Sequence, residues 1–263
     1  MFIRILAVLF YGLMVFVNFL ANSLPINGRS TGDISDAYPN LFAPAGITFS
    51  IWGLIYLSLA AYLIYQFFLL RKGGVRDLLI RKINVLFIAT SIANILWIFA
   101  WHYDFIGLSV FIMLALLVFL IKIADILNKE KMSSIENLFI LAPFSLYFGW
   151  ITVAAIANFT VFLVSINWDG FGISGYIWTS LILFIGMVIG ILRTLKDNNP
   201  FYVAVLIWAY SGILFKHISS SGFNGQYPLV ITSAVVCLLA LLASLFFVII
   251  NKDGGMSLNK LKK

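Results

Sequence analysis

Residues 138–165 read LFILAPFSLYFGWITVAAIANFTVFLVS and contain no charged side chain. An α-helix of this length, rising about 1.5 Å per residue, exceeds the hydrocarbon thickness of a bilayer, which is about 30 Å. The strands of a membrane β-barrel would instead show short segments in which apolar and polar residues alternate. The stretch therefore predicts a helix that crosses a membrane.

The rest of the 263-residue chain has the same apolar character, with a mean hydropathy of +1.05. Hydrophobic residues make up 62% of the chain and charged residues 10%, whereas soluble domains are about 45–50% apolar and about 25% charged. This composition excludes an ordinary soluble protein and a disordered one, and a single cysteine excludes a disulfide scaffold. We predict an all-α integral membrane protein with about eight transmembrane helices, at about 3–21, 45–70, 83–101, 105–127, 138–165, 173–192, 201–217 and 229–250.

The positive charges predict the side of the membrane that each connection faces. If eight spans alternate in direction, 15 of the 17 Lys and Arg residues fall on one side, and only Arg29 and Lys216 fall on the other. Cytoplasmic connections carry such an excess. We therefore expect both termini, including a short basic tail at 251–263, to be cytoplasmic. The first span is longer than the apolar core of a signal peptide, so we expect it to be retained, and a bacterial plasma membrane is the expected location.

Ionisable side chains are scarce within the spans. The ten acidic residues fall in connections or at span ends, as do His102 and His217. Proton- and ion-coupled transporters usually carry such groups inside the membrane, and no spacing of His, Cys and carboxylates suits a metal site. We expect no catalytic residue, no metal and no nucleic-acid partner. We interpret His217 as a cation that complements the C-terminal end of its helix.

Aromatic and amide side chains take the place of charges in the spans. Trp97 and Trp101 lie four residues apart and share a helix face, with Asn94 three residues before Trp97. A second stripe, on the fifth span, consists of Trp150, Ala154 and Asn158. Two interpretations stay open. The amides bond neighbouring helices to one another, or they line a cavity whose indole rings receive a flat hydrophobic ligand.

The connection between the first two spans, residues 22–44, is the longest in the chain. It reads NSLPINGRSTGDISDAYPNLFAP and is rich in turn-forming residues. Loops of more than about a dozen residues often serve as lids or binding loops. Pro39 and Pro44 lead into the second span, so we expect this loop to be held rigidly over the helix bundle.

Three blocks of residues resemble the TspO/MBR family, which comprises the translocator proteins (peripheral-type benzodiazepine receptors) and the bacterial tryptophan-rich sensory proteins. They occur in the family's order and cover about residues 1–165, the extent of its usual five helices. The blocks are Pro39-x4-Pro44-x7-Trp52-x3-Tyr56, then Asn94-x2-Trp97 with Trp101, then Pro143-Phe144 with Trp150, Ala154 and Asn158.

This resemblance implies a TspO/MBR-like five-helix membrane domain at 1–165, with three additional helices packed on it at 166–250. It implies a pocket below the first loop, whose ligand-binding positions are Trp52, Asn94, Trp97, Trp101, Trp150, Ala154 and Asn158. The positions that would shape or support the lid are Pro39, Phe42, Pro44 and Tyr56. The chain departs from the family in its three extra helices, and in Leu41, where the family often has a loop tryptophan.

The implied function is that of a receptor or sensor for a planar hydrophobic molecule, either a porphyrin or other tetrapyrrole or a sterol-like compound. No cofactor is required, although a porphyrin or haem-type ligand is a candidate occupant, and the expected partners are the lipid bilayer, this ligand and a second copy of the chain. A membrane transporter or permease subunit for a hydrophobic small molecule is the alternative, which the extra helices favour. A light-dependent enzyme that degrades tetrapyrroles has less support, so enzymatic activity stays open with the expectation against it.

Overall fold

The computed structural model describes residues 1–24, 26–71, 74 and 76–258, the last of these (252–258) by their backbone alone. Nearly all of the described residues are helical, and none of them forms a strand. The long helices are α1 (Phe2–Ser23), α2 (Ile51–Arg71), α3 (Asp77–His102), α4 (Ile106–Leu127), α5 (Ala142–Ser165), α6 (Gly175–Asp197), α7 (Pro200–Ile218) and α8 (Pro228–Leu258). Within the described ranges, eight helices are long and apolar enough to cross a membrane, which confirms the predicted all-α class and the number of spans. Residue 72 and tail residues 259–263, which contribute to the predicted cytoplasmic charge, lie outside the described residues.

The first residues of α3 and α7 show how well the apolar runs locate the helix ends. Helix α3 begins at Asp77 rather than near residue 83. Its first turns include the exposed charged residues Arg81 and Lys82, but they also bury Leu79 and Ile80. Helix α7 begins at Pro200, as expected for a residue that has no N–H to leave unpaired. The side chain of Asn199 caps this helix by accepting hydrogen bonds from two backbone N–H groups.

The first compact unit comprises Met1–Asn40 and Ser50–Trp168 and contains α1 to α5. Its helices pack in a ring in the order α1, α3, α4, α5 and α2, and α2 also contacts α1. Tyr62 of α2, Phe87 of α3 and Phe144 of α5 meet edge to face in its interior, with ring centroids 4.8 to 6.2 Å apart. Edge-to-face contacts of this kind stabilise aromatic cores beyond the area they bury.

A buried polar network ties α1, α2 and α3 together at one end of this ring. Arg4 lies in the first turn of α1 and is 1% exposed. Its guanidinium donates to Asp77 Oδ1 at 2.7 Å and to the backbone carbonyl of Gln66. The Gln66 side chain accepts from Asn84 Nδ2 at 2.7 Å, and Asn84 accepts from the Tyr62 hydroxyl at 2.7 Å. A buried cation is tolerated here because it is paired and hydrogen-bonded.

The second compact unit comprises Leu41–Phe49 and the described residues from Asp169 onward. In it, α8 packs against both α6 and α7. Gly190 of α6 lies where a Cβ atom would overlap the side chain of Leu206 and lie 3.4 Å from Leu241 Cδ2. Gly186 and Gly190 form a G-x-x-x-G spacing in α6, and Gly190 lies at a close helix contact. Small residues at this spacing allow helices to approach closely in membranes.

The two units do not follow the linear order of the chain, because a segment of the first long loop belongs to the second unit. The division into a five-helix domain at 1–165 and additional helices at 166–250 stays a prediction about domain organisation. Segment Leu41–Phe49 nevertheless lies, by its packing, with residues that follow the fifth helix.

We predict a cytoplasmic location for the connection between α4 and α5 and an external one for the connection between α7 and α8. In a Cys237→Ala background, single cysteines introduced by Lys129→Cys and Gln226→Cys, both at exposed positions, report these two connections. A membrane-impermeant maleimide applied to intact bacteria should label the Gln226→Cys protein and should label the Lys129→Cys protein only after permeabilisation. Labelling of both proteins in intact cells would contradict the eight-span topology.

Candidate functional site

Four aromatic rings from α2 and α5 meet in the first unit. Trp52, the second residue of α2, stacks on Tyr56 with centroids 5.3 Å apart. It also meets Tyr147 at 5.8 Å and Trp150 at 6.2 Å, both edge to face. The structure thus brings the sequence-predicted residues Trp52, Tyr56 and Trp150 together. We call Trp52, Tyr56, Tyr147 and Trp150 the aromatic cluster.

Tyr147 is the member of the aromatic cluster that the sequence analysis missed. It precedes Trp150 by three residues, a helical spacing that puts the two rings on one face of α5 and was a readable signal. Its hydroxyl lies 3.4 Å from the side-chain nitrogen of Asn94, which donates to it. Asn94 Oδ1 accepts in turn from Asn18 Nδ2 at 2.6 Å. Asn94 therefore connects the aromatic cluster to α1.

A second group forms around the two tryptophans of α3. Trp97 and Trp101 stack with centroids 5.4 Å apart and an interplanar angle of 21°. Trp97 Nε1 donates to Asn158 Oδ1 at 2.8 Å, and Asn158 Nδ2 donates to Ser109 Oγ at 2.9 Å. Ala154, one turn before Asn158, is partly buried on the same helix. The predicted site residues of the first unit therefore fall into two groups, one joined mainly by ring contacts and one by ring contacts and hydrogen bonds, and both include residues of α3 and α5.

The amides in both groups bond protein partners on other helices. Asn94 is 1% exposed and Asn158 is 3% exposed. Asn94 bonds residues of α1 and α5, and Asn158 bonds residues of α3 and α4. These contacts are the interhelical bonds that one sequence interpretation proposed. Trp52 and Trp97, by contrast, are only partly buried.

The first half of the long loop covers the Trp97–Trp101 pair. The short helix Thr31–Asp36 begins with a capping box, in which Ser30 and Asp33 bond each other's backbone N–H groups. These bonds hold the pKa of Asp33 below its usual value. Ile34 of this helix is fully buried in an apolar cluster with Trp101, Ile106 and Val161, against which Tyr38, Trp97 and Phe162 pack.

His102 fastens this half of the loop and was not recognised from the sequence. Its Nδ1 lies 3.1 Å from the carbonyl oxygen of Ile26, which can only accept, so Nδ1 carries the hydrogen. Its Nε2 then accepts from the Thr31 hydroxyl at 3.1 Å. Trp101 Nε1 donates to the Thr31 carbonyl at 3.2 Å, and Asn27 donates to the carbonyl of His102 at 2.9 Å. Loop and helix end are therefore joined by several hydrogen bonds.

Charged and polar side chains reinforce this attachment at the end of α3. Arg29 forms an ion pair with Asp104. The Tyr38 hydroxyl donates to the same carboxylate at 3.2 Å. Partial burial, followed by the negative charge of Asp104, raises the pKa of Tyr38 above its ordinary value, so its hydroxyl stays a donor at neutral pH.

The predicted lid residues are divided between the two units. Pro39 is exposed and belongs to the first unit. Phe42 and Pro44 are buried and belong to the segment Leu41–Phe49 of the second unit. The structure therefore does not bring the three residues together in one unit, and their role in covering a ligand stays a prediction.

Comparison with protein families gives one informative match. A family model described as TSPO-like protein matches residues 4–247. The chain belongs to this family, which confirms the resemblance found in the sequence, and it is an integral, multi-pass membrane protein. The match extends through the last three helices as well as the first five. Neither the comparison with curated proteins nor that with solved structures gave a match.

We predict that Asn158→Leu destabilises the protein by about 1 kcal/mol, because Trp97 Nε1 loses its acceptor in an apolar interior and Ser109 Oγ loses the hydrogen bond that Asn158 donates to it. The measurement is thermal unfolding in detergent. The double variant Trp97→Phe/Asn158→Leu removes donor and acceptor together, so its loss should be smaller than the sum of the two single losses. Strict additivity would show that this hydrogen bond contributes nothing.

We also predict that Ile34→Ala loosens the first half of the loop. The buried Ile34 side chain joins the loop to Trp101, so its truncation should increase amide exchange across residues 26–38 several-fold. Ile47→Ala is the matched control, because Ile47 is 66% exposed. Equal exchange in the two variants would contradict a packed loop.

Proposed function

We propose that this TSPO-like membrane protein is a receptor or sensor that binds a planar hydrophobic small molecule, a tetrapyrrole or a sterol-like compound, in its first helical unit. The single observation that carries the proposal is the aromatic cluster of Trp52, Tyr56, Tyr147 and Trp150, which lies within membrane-spanning helices. Such concentrations of large rings, with few polar groups, are characteristic of sites for flat apolar ligands.

Ring contact and burial would supply most of the binding free energy. Trp52 is only partly buried, so part of it would be available to a ligand, and Tyr147 and Trp150 contact its ring edge to face. The amides of Asn94 and Asn158 are already hydrogen-bonded within the protein, so a ligand would use them only by exchanging one of these bonds. Binding of this kind selects for shape and apolar surface.

An iron-free porphyrin is the appropriate probe for this site. The first unit contains one of the chain's two histidines, His102, and both of its ring nitrogens are hydrogen-bonded to the loop. Ring contacts, rather than an axial ligand from this histidine, would therefore hold a porphyrin. We further propose a bacterial plasma membrane as the location and a second copy of the chain as a partner.

The test is a titration of protoporphyrin IX into the purified protein in nanodiscs, followed by the Soret absorbance. Trp52→Leu and Trp150→Ala remove rings of the aromatic cluster and should each raise the Kd about tenfold, which corresponds to about 1.4 kcal/mol of binding free energy. Trp52→Leu is the gentler variant, because Trp52 is only partly buried.

Trp178→Leu is the matched control. Trp178 also lies in a membrane-spanning helix, but it belongs to the second unit, where its Nε1 donates to the carbonyl of Gly170. The control should bind with the Kd of the unaltered protein. Unchanged affinity in both cluster variants, with thermal midpoints that show them folded, would exclude the aromatic cluster as the binding site.

A further inference from the structure

We propose that helix α7 positions Trp52, through the segment Leu41–Phe49 that leads directly into α2. The positioning residues are Trp208, Gly212 and His217 of α7. This proposal rests on the proposed function, because Trp52 is one ring of the candidate binding site and follows the segment directly in the chain. It thereby assigns a role to helices that lie outside the aromatic cluster.

Three hydrogen bonds hold the segment at its beginning, middle and end. His217 Nε2 lies 2.9 Å from the Leu41 carbonyl, which can only accept, so Nε2 donates. The backbone N–H of Ala45 donates to the Gly212 carbonyl at 3.1 Å. Trp208 Nε1 donates to the Thr48 carbonyl at 2.9 Å. His217, expected from the sequence to act as a helix-terminal cation, is fully buried and serves this attachment instead.

Close packing supports the same attachment. Thr48 is 1% exposed and lies directly against Gly212. A Cβ atom at position 212 would lie 2.7 Å from Thr48 Cγ2, which is closer than real contacts allow. Gly212 is therefore required for the segment to approach α7, and side chains at this position would displace Thr48.

Backbone continuity carries the position of Thr48 to Trp52. The 3₁₀ turn Gly46–Ser50 runs into α2 at Ile51 with no residue between them. Trp52 follows Thr48 by four residues, which is about one helical turn. Because successive turns of a helix are coupled by backbone hydrogen bonds, fixing Thr48 restrains the backbone at the start of α2 and, with it, the direction in which the Trp52 side chain leaves the helix. The preceding half of the loop, up to Asn40, belongs to the first unit, where His102 makes its own hydrogen bonds to the loop.

The experiment measures amide exchange and porphyrin affinity in parallel, with the full-length protein in nanodiscs. Trp208→Phe removes the hydrogen bond to Thr48 but keeps a ring, and Gly212→Ala displaces Thr48 by its added methyl group. Both variants should exchange about fivefold faster across residues 46–56 and should bind protoporphyrin IX several-fold more weakly. Trp178→Phe, which removes an equivalent indole-to-carbonyl bond elsewhere in the second unit, should change neither quantity.

The amide-exchange measurement tests the proposal even if the protein does not bind protoporphyrin IX. If the unaltered protein does not bind protoporphyrin IX, the proposed function fails for that ligand, while faster exchange at 50–56 still supports positioning by α7. Exchange that is unchanged at 46–56, or that increases at 41–49 but not at 50–56, would overturn the proposal. Equal effects of Trp178→Phe and Trp208→Phe would also overturn it, because they would indicate a general loss of stability.

Discussion

The absence of water from a bilayer interior is the constraint on which the first unit depends. A polar group there must find a protein partner or remain unsatisfied. Asn94 and Asn158 meet this requirement by bonding tyrosine, tryptophan, serine and asparagine side chains on neighbouring helices. These bonds fix α3 against α1, α4 and α5, and they also fix the rings that a ligand would contact. The polar groups thus act on the candidate site chiefly by orienting its aromatic rings.

Most of the fold follows from sequence, and the reason is physical. Apolar runs of bilayer length specify the eight helices, and four-residue spacing places Trp97 with Trp101 on one face. Partners on other helices could not be predicted in this way. Ser109 gives no periodic signal, and the Thr31 carbonyl that Trp101 bonds is a backbone atom. The burial of Arg4 could not be predicted from the sequence either, because its ion pair with Asp77 joins residues far apart in the chain.

The long first loop is divided between the two compact units, and each half is attached within its own unit. Its first half is fastened to the end of α3 by His102 and by the packing of Ile34. Its second half is fastened to α7 by Trp208 and His217. Pro39 and Pro44, which suggested a single rigid lid, instead belong to different compact units.

The planar hydrophobic ligand that we propose would lie against the aromatic cluster of the first unit. Photo-crosslinking tests it most directly, with a diazirine-bearing protoporphyrin bound to the protein in nanodiscs and the modified peptides identified by mass spectrometry. We expect adducts on the peptides of α2 and α5 that contain Trp52 and Trp150. Excess unlabelled porphyrin should suppress these adducts. Adducts confined to α6–α8, or spread over lipid-facing residues and unaffected by competitor, would contradict it.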